Sequence, residues 1–158
     1  MSELKIGDQA PDFKVAIAEN KNLTLSELKG KYVLLYFYPK DNTPGCTVEA
    51  REFNALLPEF KKQGAEIIGI SKDSLKSHDK FKSLFDLNFY LGSDAENQLC
   101  QKYGVWVEKS MFGKKYMGIN RASFLIDKEG KIAYIWPNVK VNGHAQEVLD
   151  KLNVLNKK

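Results

Sequence analysis

The chain has 158 residues, 43% of them hydrophobic and 28% charged, which excludes a disordered or fibrous protein and suffices for one ordinary core. Its net charge of +4 comes from basic residues spread evenly among acidic ones, a pattern that argues against nucleic acid as a partner. No apolar run approaches the roughly 18–20 residues of a membrane span, and the first residues show no signal-peptide pattern, so the expectation is a soluble cytoplasmic protein with one domain over residues 1–158.

In chain order, residues 13–17 and 23–25 predict an N-terminal hairpin. Residues 32–38 (YVLLYFY) form a continuous apolar run, as a strand buried on both faces does. Residues 47–62 then show helical spacing, with Val48, Phe53, Leu56, Leu57 and Phe60 on the apolar side; Pro58 is expected to kink or split this helix. Gly64 closes it, and residues 65–71 read as a second buried strand. Asp73 or Ser74 caps a helix reaching Phe85, residues 88–91 make a short strand, and Asp94 caps a helix over residues 95–103. Trp106, Phe112, Tyr116 and Met117 are expected to pack locally. Residues 122–126 and 131–135 flank the turn signal Asp127-Lys128-Glu129-Gly130 and predict a hairpin, and residues 143–155 a last amphipathic helix. This order implies an α/β fold of the thioredoxin-like kind, a mixed central sheet flanked by helices with an N-terminal β-hairpin extension.

The chemistry concentrates in residues 39–50, PKDNTPGCTVEA, between the first buried strand and the helix after it. Cys46 falls in the first helical turn, where unpaired backbone N–H groups favour a thiolate. Thr43 lies three residues earlier, where its hydroxyl reaches back toward the sulfur or a bound oxygen, or caps the helix. Pro39 and Pro44 stiffen the loop. Glu49, one turn after Cys46, shares its helix face and is placed to orient an arginine. Only two of the 24 basic residues are arginines, Arg51 and Arg121. Arg121 opens the late hairpin, where its planar fork suits a thiolate and a peroxide oxygen together. The other cysteine, Cys100, reads as a small core residue beside Leu99 and Tyr103. His78 and His144 lack partners at metal-ligand spacing and read as surface or capping residues.

Pro39-x-x-x-Thr43-x-x-Cys46 resembles the peroxiredoxin signature, and DNTPGCTVEA is similar to the bacterioferritin comigratory protein (PrxQ) subfamily. The likeness extends through GDQAPDF, YGVW, GINRASFLIDKEGKI and VNGHAQEVLDKL. It implies a thiol peroxidase for hydrogen peroxide and organic hydroperoxides that uses no metal, haem or flavin. Cys46 is then the peroxidatic cysteine, Thr43 the peroxide-binding hydroxyl, Pro39 the shield of the pocket, Arg121 the activating arginine and Glu49 its holder. Many members carry a second, resolving cysteine five residues on, where this chain has Arg51, or in the next helix, where it has none. The expectation is therefore a one-cysteine cycle closed by an external thiol, with thioredoxin or glutathione and glutaredoxin as reductant, in a monomer or weak dimer. Arg51, about 140° round the helix from Cys46, reads as a solvated residue that attracts an anionic thiol at most. The competing readings are a peroxide sensor or redox-dependent binder switched at Cys46, and a thiol–disulfide oxidoreductase, which the missing C-x-x-C disfavours.

Overall fold

The computed structural model describes residues 4–157. The chain runs β1 (Lys14–Ala18), β2 (Lys21–Thr24), a short 3-10 turn (Leu25–Leu28), β3 (Tyr32–Phe37), α1 (Pro44–Lys62), β4 (Ala65–Ser71) and α2 (Leu75–Phe85). There follow β5 (Tyr90–Ser93), α3 (Gln98–Lys102), β6 (Trp106–Met111), β7 (Lys114–Ile119), β8 (Ala122–Ile126), β9 (Ile132–Trp136) and α4 (His144–Asn156). Seven strands form one mixed sheet in the order β2-β1-β5-β4-β3-β8-β9. β3, β4 and β5 run parallel, and β8 and β9 add antiparallel strands on the other side of β3. This is the thioredoxin-like arrangement expected from the element order.

The central strand is apolar along its whole length because both of its faces are covered. Strand alternation sends Leu34, Tyr36 and Tyr38 to one face, where they pack with Phe53 and Phe60 of α1, Phe81 of α2, and Val148 and Leu152 of α4. It sends Val33, Leu35 and Phe37 to the other, against Phe13, Cys100, Tyr103 and Phe124. Each such aromatic or aliphatic side chain stabilises the fold by roughly 1.5–3 kcal/mol, so Phe53→Ala alone costs about 3–5 kcal/mol.

The helix after β3 begins at Pro44 rather than at residue 47, a position where proline's missing N–H is no loss. It continues past Pro58 as one helix, so of the expected kink or split the split does not occur, and Phe53, Leu57 and Phe60 are buried on both sides of that residue. Ser74, not Asp73, caps α2, accepting from the Ser77 N–H at 3.1 Å. β5 starts at Tyr90, two residues later than expected, because the Asn88 N–H is bound by the Asn54 side chain at 2.8 Å. α3 is shorter than the 95–103 expectation: a turn with Asn97 at φ 63° intervenes, and the Asp94 carboxylate caps from beyond it, accepting from Leu99 and Cys100 N–H at 3.1 and 2.8 Å.

The segment between α3 and β8 is a second hairpin that sequence reading misses. β6 and β7 pair antiparallel around Phe112 and Gly113, both at positive φ. Phe112 is 97% exposed, and Tyr116 and Met117 are also open to solvent, so these three do not pack locally as expected; only Trp106 is partly covered, beneath the Lys72 ammonium at 4.9 Å. Both histidines are likewise buried rather than at the surface. His78 lies on the inner stripe of α2 with Phe81, and His144 on that of α4 with Val148, and each ring nitrogen has a polar partner. Among the described residues no helix is long and apolar enough to cross a membrane.

Candidate active site

The register of the sheet assembles the site. β8 pairs antiparallel with β3 so that Ala122 faces Phe37, which puts Arg121 beside the end of β3, where the chain turns into α1. Its guanidinium spans two groups of the first turns of α1. Nη1 donates to Glu49 Oε1 at 2.7 Å and Nη2 to Cys46 Sγ at 3.3 Å. The three residues predicted from separate parts of the sequence thus form one contact. Gly45 makes room for it: a Cβ there would lie 3.3 Å from Arg121 Nη2, a requirement the sequence reading did not identify.

The electrostatics follow from burial. Cys46 and Glu49 are each 1% exposed. Burial would pull the Arg121 guanidinium down, but Glu49 and Cys46 beside it outweigh this and hold it above its usual range. Burial pushes the Glu49 carboxyl up to about 7, against the opposing pull of Arg121. Its second oxygen, Oε2, is buried with no hydrogen-bond partner among the described residues, which is why desolvation prevails over the ion pair. Near neutrality, then, Arg121 is shared between the sulfur and a carboxyl that is only partly ionised.

Thr43 and Pro39 lie on the loop that enters α1. Thr43 is the N-cap residue by backbone position, but its hydroxyl does not cap; it donates to the Lys40 carbonyl at 2.9 Å. The N–H groups of Gly45 and Cys46 are therefore left uncapped by that side chain, facing outward from the positive end of the helix. Pro39 is exposed on the loop, and Pro44 is exposed on the first turn. Arg51 is exposed on the far side of α1, its guanidinium 5.8 Å from the centre of the Phe85 ring on α2.

Lys109 of β6 is a cation at this site that sequence reasoning missed. Its stem crosses β7 at Gly118, where a Cβ would meet Lys109 Cδ at 3.3 Å. Burial and Arg121 push its ammonium down while Cys46 pulls it up, so it lies within electrostatic reach of both. Nothing in the pattern of β6, WVEKSM, singles it out.

Cys100 is separate from all this. It is fully buried in the core on the opposite face of the sheet from Cys46. Burial, then its hydrogen bond to Asp94, pushes its thiol far up, as befits an inert core residue.

Held this way, the Cys46 sulfur suits nucleophilic thiol chemistry, and the family match puts the chain in the class of thiol-dependent peroxidases. The chain belongs to the AhpC/TSA family, which matches residues 6–135, and within it to the peroxiredoxins of the bacterioferritin comigratory protein (PrxQ) type. It is 46% identical over 155 residues to peroxiredoxin Bcp of Bacillus subtilis, covering 98% of this chain and 99% of that one. A structure of a cysteine-to-serine variant of Xylella fastidiosa PrxQ matches with a TM-score of 0.92 and 41% identity, covering 98% of this chain and 99% of that one. The bacterioferritin comigratory protein of Xanthomonas campestris, solved in a study of alkyl peroxide reduction, matches with a TM-score of 0.89 and 43% identity over 97% of this chain and 98% of that one.

Proposed function

We propose that this peroxidase reduces hydrogen peroxide and alkyl hydroperoxides by a one-cysteine cycle, with Cys46 as nucleophile and an external thiol as reductant. The observation that carries the reading is the Arg121 guanidinium, held by Glu49 and donating to the Cys46 sulfur. The thiolate attacks one peroxide oxygen, the O–O bond breaks, and the departing alkoxide or hydroxide takes a proton to leave as alcohol or water. Cys46 is left as a sulfenic acid. Arg121 stabilises the thiolate and then the oxygens of the breaking bond, together with the uncapped N–H groups of Gly45 and Cys46. The Thr43 hydroxyl spends its hydrogen on Lys40, so its oxygen is the acceptor for a peroxide O–H. Pro39 shields the rim of the pocket, and Glu49 positions Arg121.

One thiol then attacks the sulfenic acid, releasing water and leaving a mixed disulfide; a second thiol frees Cys46 and carries off the disulfide. Two electrons enter from two thiols for each peroxide reduced. A one-cysteine cycle is favoured because the central sheet lies between the two sulfurs, whereas a disulfide needs Cα atoms about 4.4–6.8 Å apart. Thioredoxin, or glutathione with glutaredoxin, supplies the thiols. The test is peroxide consumption by wild type, Cys46→Ser and Cys100→Ser, with mass spectrometry of the oxidised wild type under non-reducing conditions. Loss of activity in Cys46→Ser alone, with a trapped sulfenic acid as the main product, is expected. An intramolecular Cys46–Cys100 disulfide as the main product overturns the cycle, and equal consumption by Cys46→Ser overturns the assignment of the nucleophile.

A further inference from the structure

Residues 110–117 are all exposed, yet they form the regular outer end of the β6–β7 hairpin, and large apolar side chains stand among them. Met111 is 56% exposed, Phe112 97%, Tyr116 43% and Met117 48%. Beyond Trp106 and Ile119 at the base, no described residue of the hairpin joins either core.

The turn carries strain as well. Met111 pairs with Lys114, so Phe112 and Gly113 are its two central residues, at φ 53° and 78°. Such turns favour Asn-Gly or Asp-Gly, because a bulky side chain in the left-handed region crowds the following carbonyl. Phe112 occupies this position and gains no packing from it. Strain that packing does not offset points to a contact made with something else.

The charges around the tip are mostly of one sign. Residues 106–119 hold three lysines against one glutamate. Strand alternation puts Lys109 and Lys114 on one face of the ribbon and Lys115 on the other, so ammonium groups flank the Met111–Phe112 tip on both sides. Glu108 approaches Lys115 at 3.7 Å, but both side chains are largely open to water, and a pair of that kind leaves the lysine available. An apolar tip flanked by cations is complementary to an anionic lipid surface, where lysines meet headgroups and apolar side chains enter the acyl boundary. The shape favours lipid over protein. A stable protein interface draws about 800 Å² from each partner, whereas this tip is a narrow wedge of two apolar residues, around which a fluid interface closes.

We propose that the β6–β7 hairpin docks the protein on an anionic lipid bilayer, inserting Met111 and Phe112 and holding headgroups with Lys114 and Lys115. The other end of the hairpin leads through Asn120 into Arg121, so the element that touches the lipid is continuous with the peroxide site. The docking is separate from the one-cysteine cycle and stands whichever thiol closes it.

The experiment is co-sedimentation of the full chain with sucrose-loaded vesicles at low salt. The vesicles are phosphatidylcholine alone, or phosphatidylcholine and phosphatidylglycerol in equal parts. The wild type is expected to pellet with the mixed vesicles and to stay in solution with phosphatidylcholine alone. Phe112→Asn, which suits the turn and so preserves the fold, is expected to lower the partition coefficient at least about fivefold. Lys114→Gln/Lys115→Gln is expected to lower it about 25-fold, at roughly a factor of five for each lysine. No pelleting of the wild type with the mixed vesicles overturns the proposal, as does equal partition of wild type and Phe112→Asn. If vesicles fail, self-association that Phe112→Asn abolishes assigns the tip to a second copy of the chain instead. Capture on immobilised polyglutamate that Phe112→Asn abolishes assigns it to an acidic protein.

Discussion

Replacing Arg121 by Met removes the guanidinium while keeping most of its buried stem. The magnitude follows from the two contacts it loses. A unit charge 3.3 Å from the sulfur, at an effective dielectric of about 20, caps the electrostatic loss near 5 kcal/mol. A charge-assisted hydrogen bond measured by deletion is worth about 1.5–3 kcal/mol, the more realistic scale for a group that also serves Glu49. The rate of reaction with peroxide at pH 7 should therefore fall about 10- to 150-fold. Met also strands Glu49, so the variant loses stability as well as activity. The double variant Arg121→Met/Glu49→Gln separates the two: stability returns toward wild type and activity does not. Arg121→Lys falls between, since one ammonium cannot reach both partners with a planar fork. Stopped-flow measurement of the oxidation of Cys46 by hydrogen peroxide is the assay. A folded Arg121→Met protein reacting within about threefold of wild type refutes the reasoning.

The Glu49 carboxyl, at about 7 when folded against 4.5 ordinarily, makes the folded state bind a proton that the unfolded state lacks between those values. Stability to urea should thus fall as pH rises from 4.5 to 7, by an upper bound of about 3 kcal/mol, and the decline should vanish in Glu49→Gln; a wild-type curve flat across this window contradicts it. Gly45→Ala pushes a Cβ to 3.3 Å from Arg121 Nη2 on a backbone that tolerates alanine, so the rate with peroxide should drop about 3- to 10-fold with little change in unfolding midpoint. Equal rates in the two proteins would show that Arg121 does not need the space.

The parts of the fold legible in the sequence are those whose pattern has one physical cause. β3 and β4 are apolar on both faces because helices cover both, and Gly64 and Gly130 sit at positive φ where the chain reverses. The β6–β7 hairpin is illegible because only its base, Trp106 and Ile119, reaches the core. Its strands carry Glu108, Lys109, Ser110, Lys114 and Lys115 among apolar residues, and its turn places Phe112, not the customary Asn or Asp, at positive φ. That hairpin brings Lys109 to the site, so the cation and the element carrying it are missed together. His78 and His144 mislead for the opposite reason. Each falls on the buried stripe of its helix, with Phe81 or with Val148, and helical spacing rather than residue type marks it as internal. Cys46, Glu49 and Arg121 are legible as candidates, but the 2.7 and 3.3 Å contacts that unite them depend on strand pairing across 72 and 75 residues.

That pairing ties the catalytic geometry to the hydrophobic core. In β8, Ala122, Phe124 and Ile126 face the core that holds Cys100, while Leu125 faces the one that holds Cys46. A slip of one residue along β3 would turn Phe124 into the wrong core and Leu125 out of its own, a cost of several buried side chains at roughly 1.5–3 kcal/mol each. It would also carry Arg121 about 3.3 Å along the strand, beyond reach of both Sγ and Oε1. The alternation that buries Phe124 and Leu125 fixes where the backbone of the residue before the strand must lie, and Glu49 then aims its guanidinium. The loop on the other side of Cys46 has no such register to hold it. Its position depends on a polar anchor at Asp41, whose carboxylate accepts from Tyr38 and Ser77 and pairs with His78. The two sides of Cys46 are therefore held by forces of different kinds: strand register and apolar burial on the Arg121 side, and a buried polar network on the loop side.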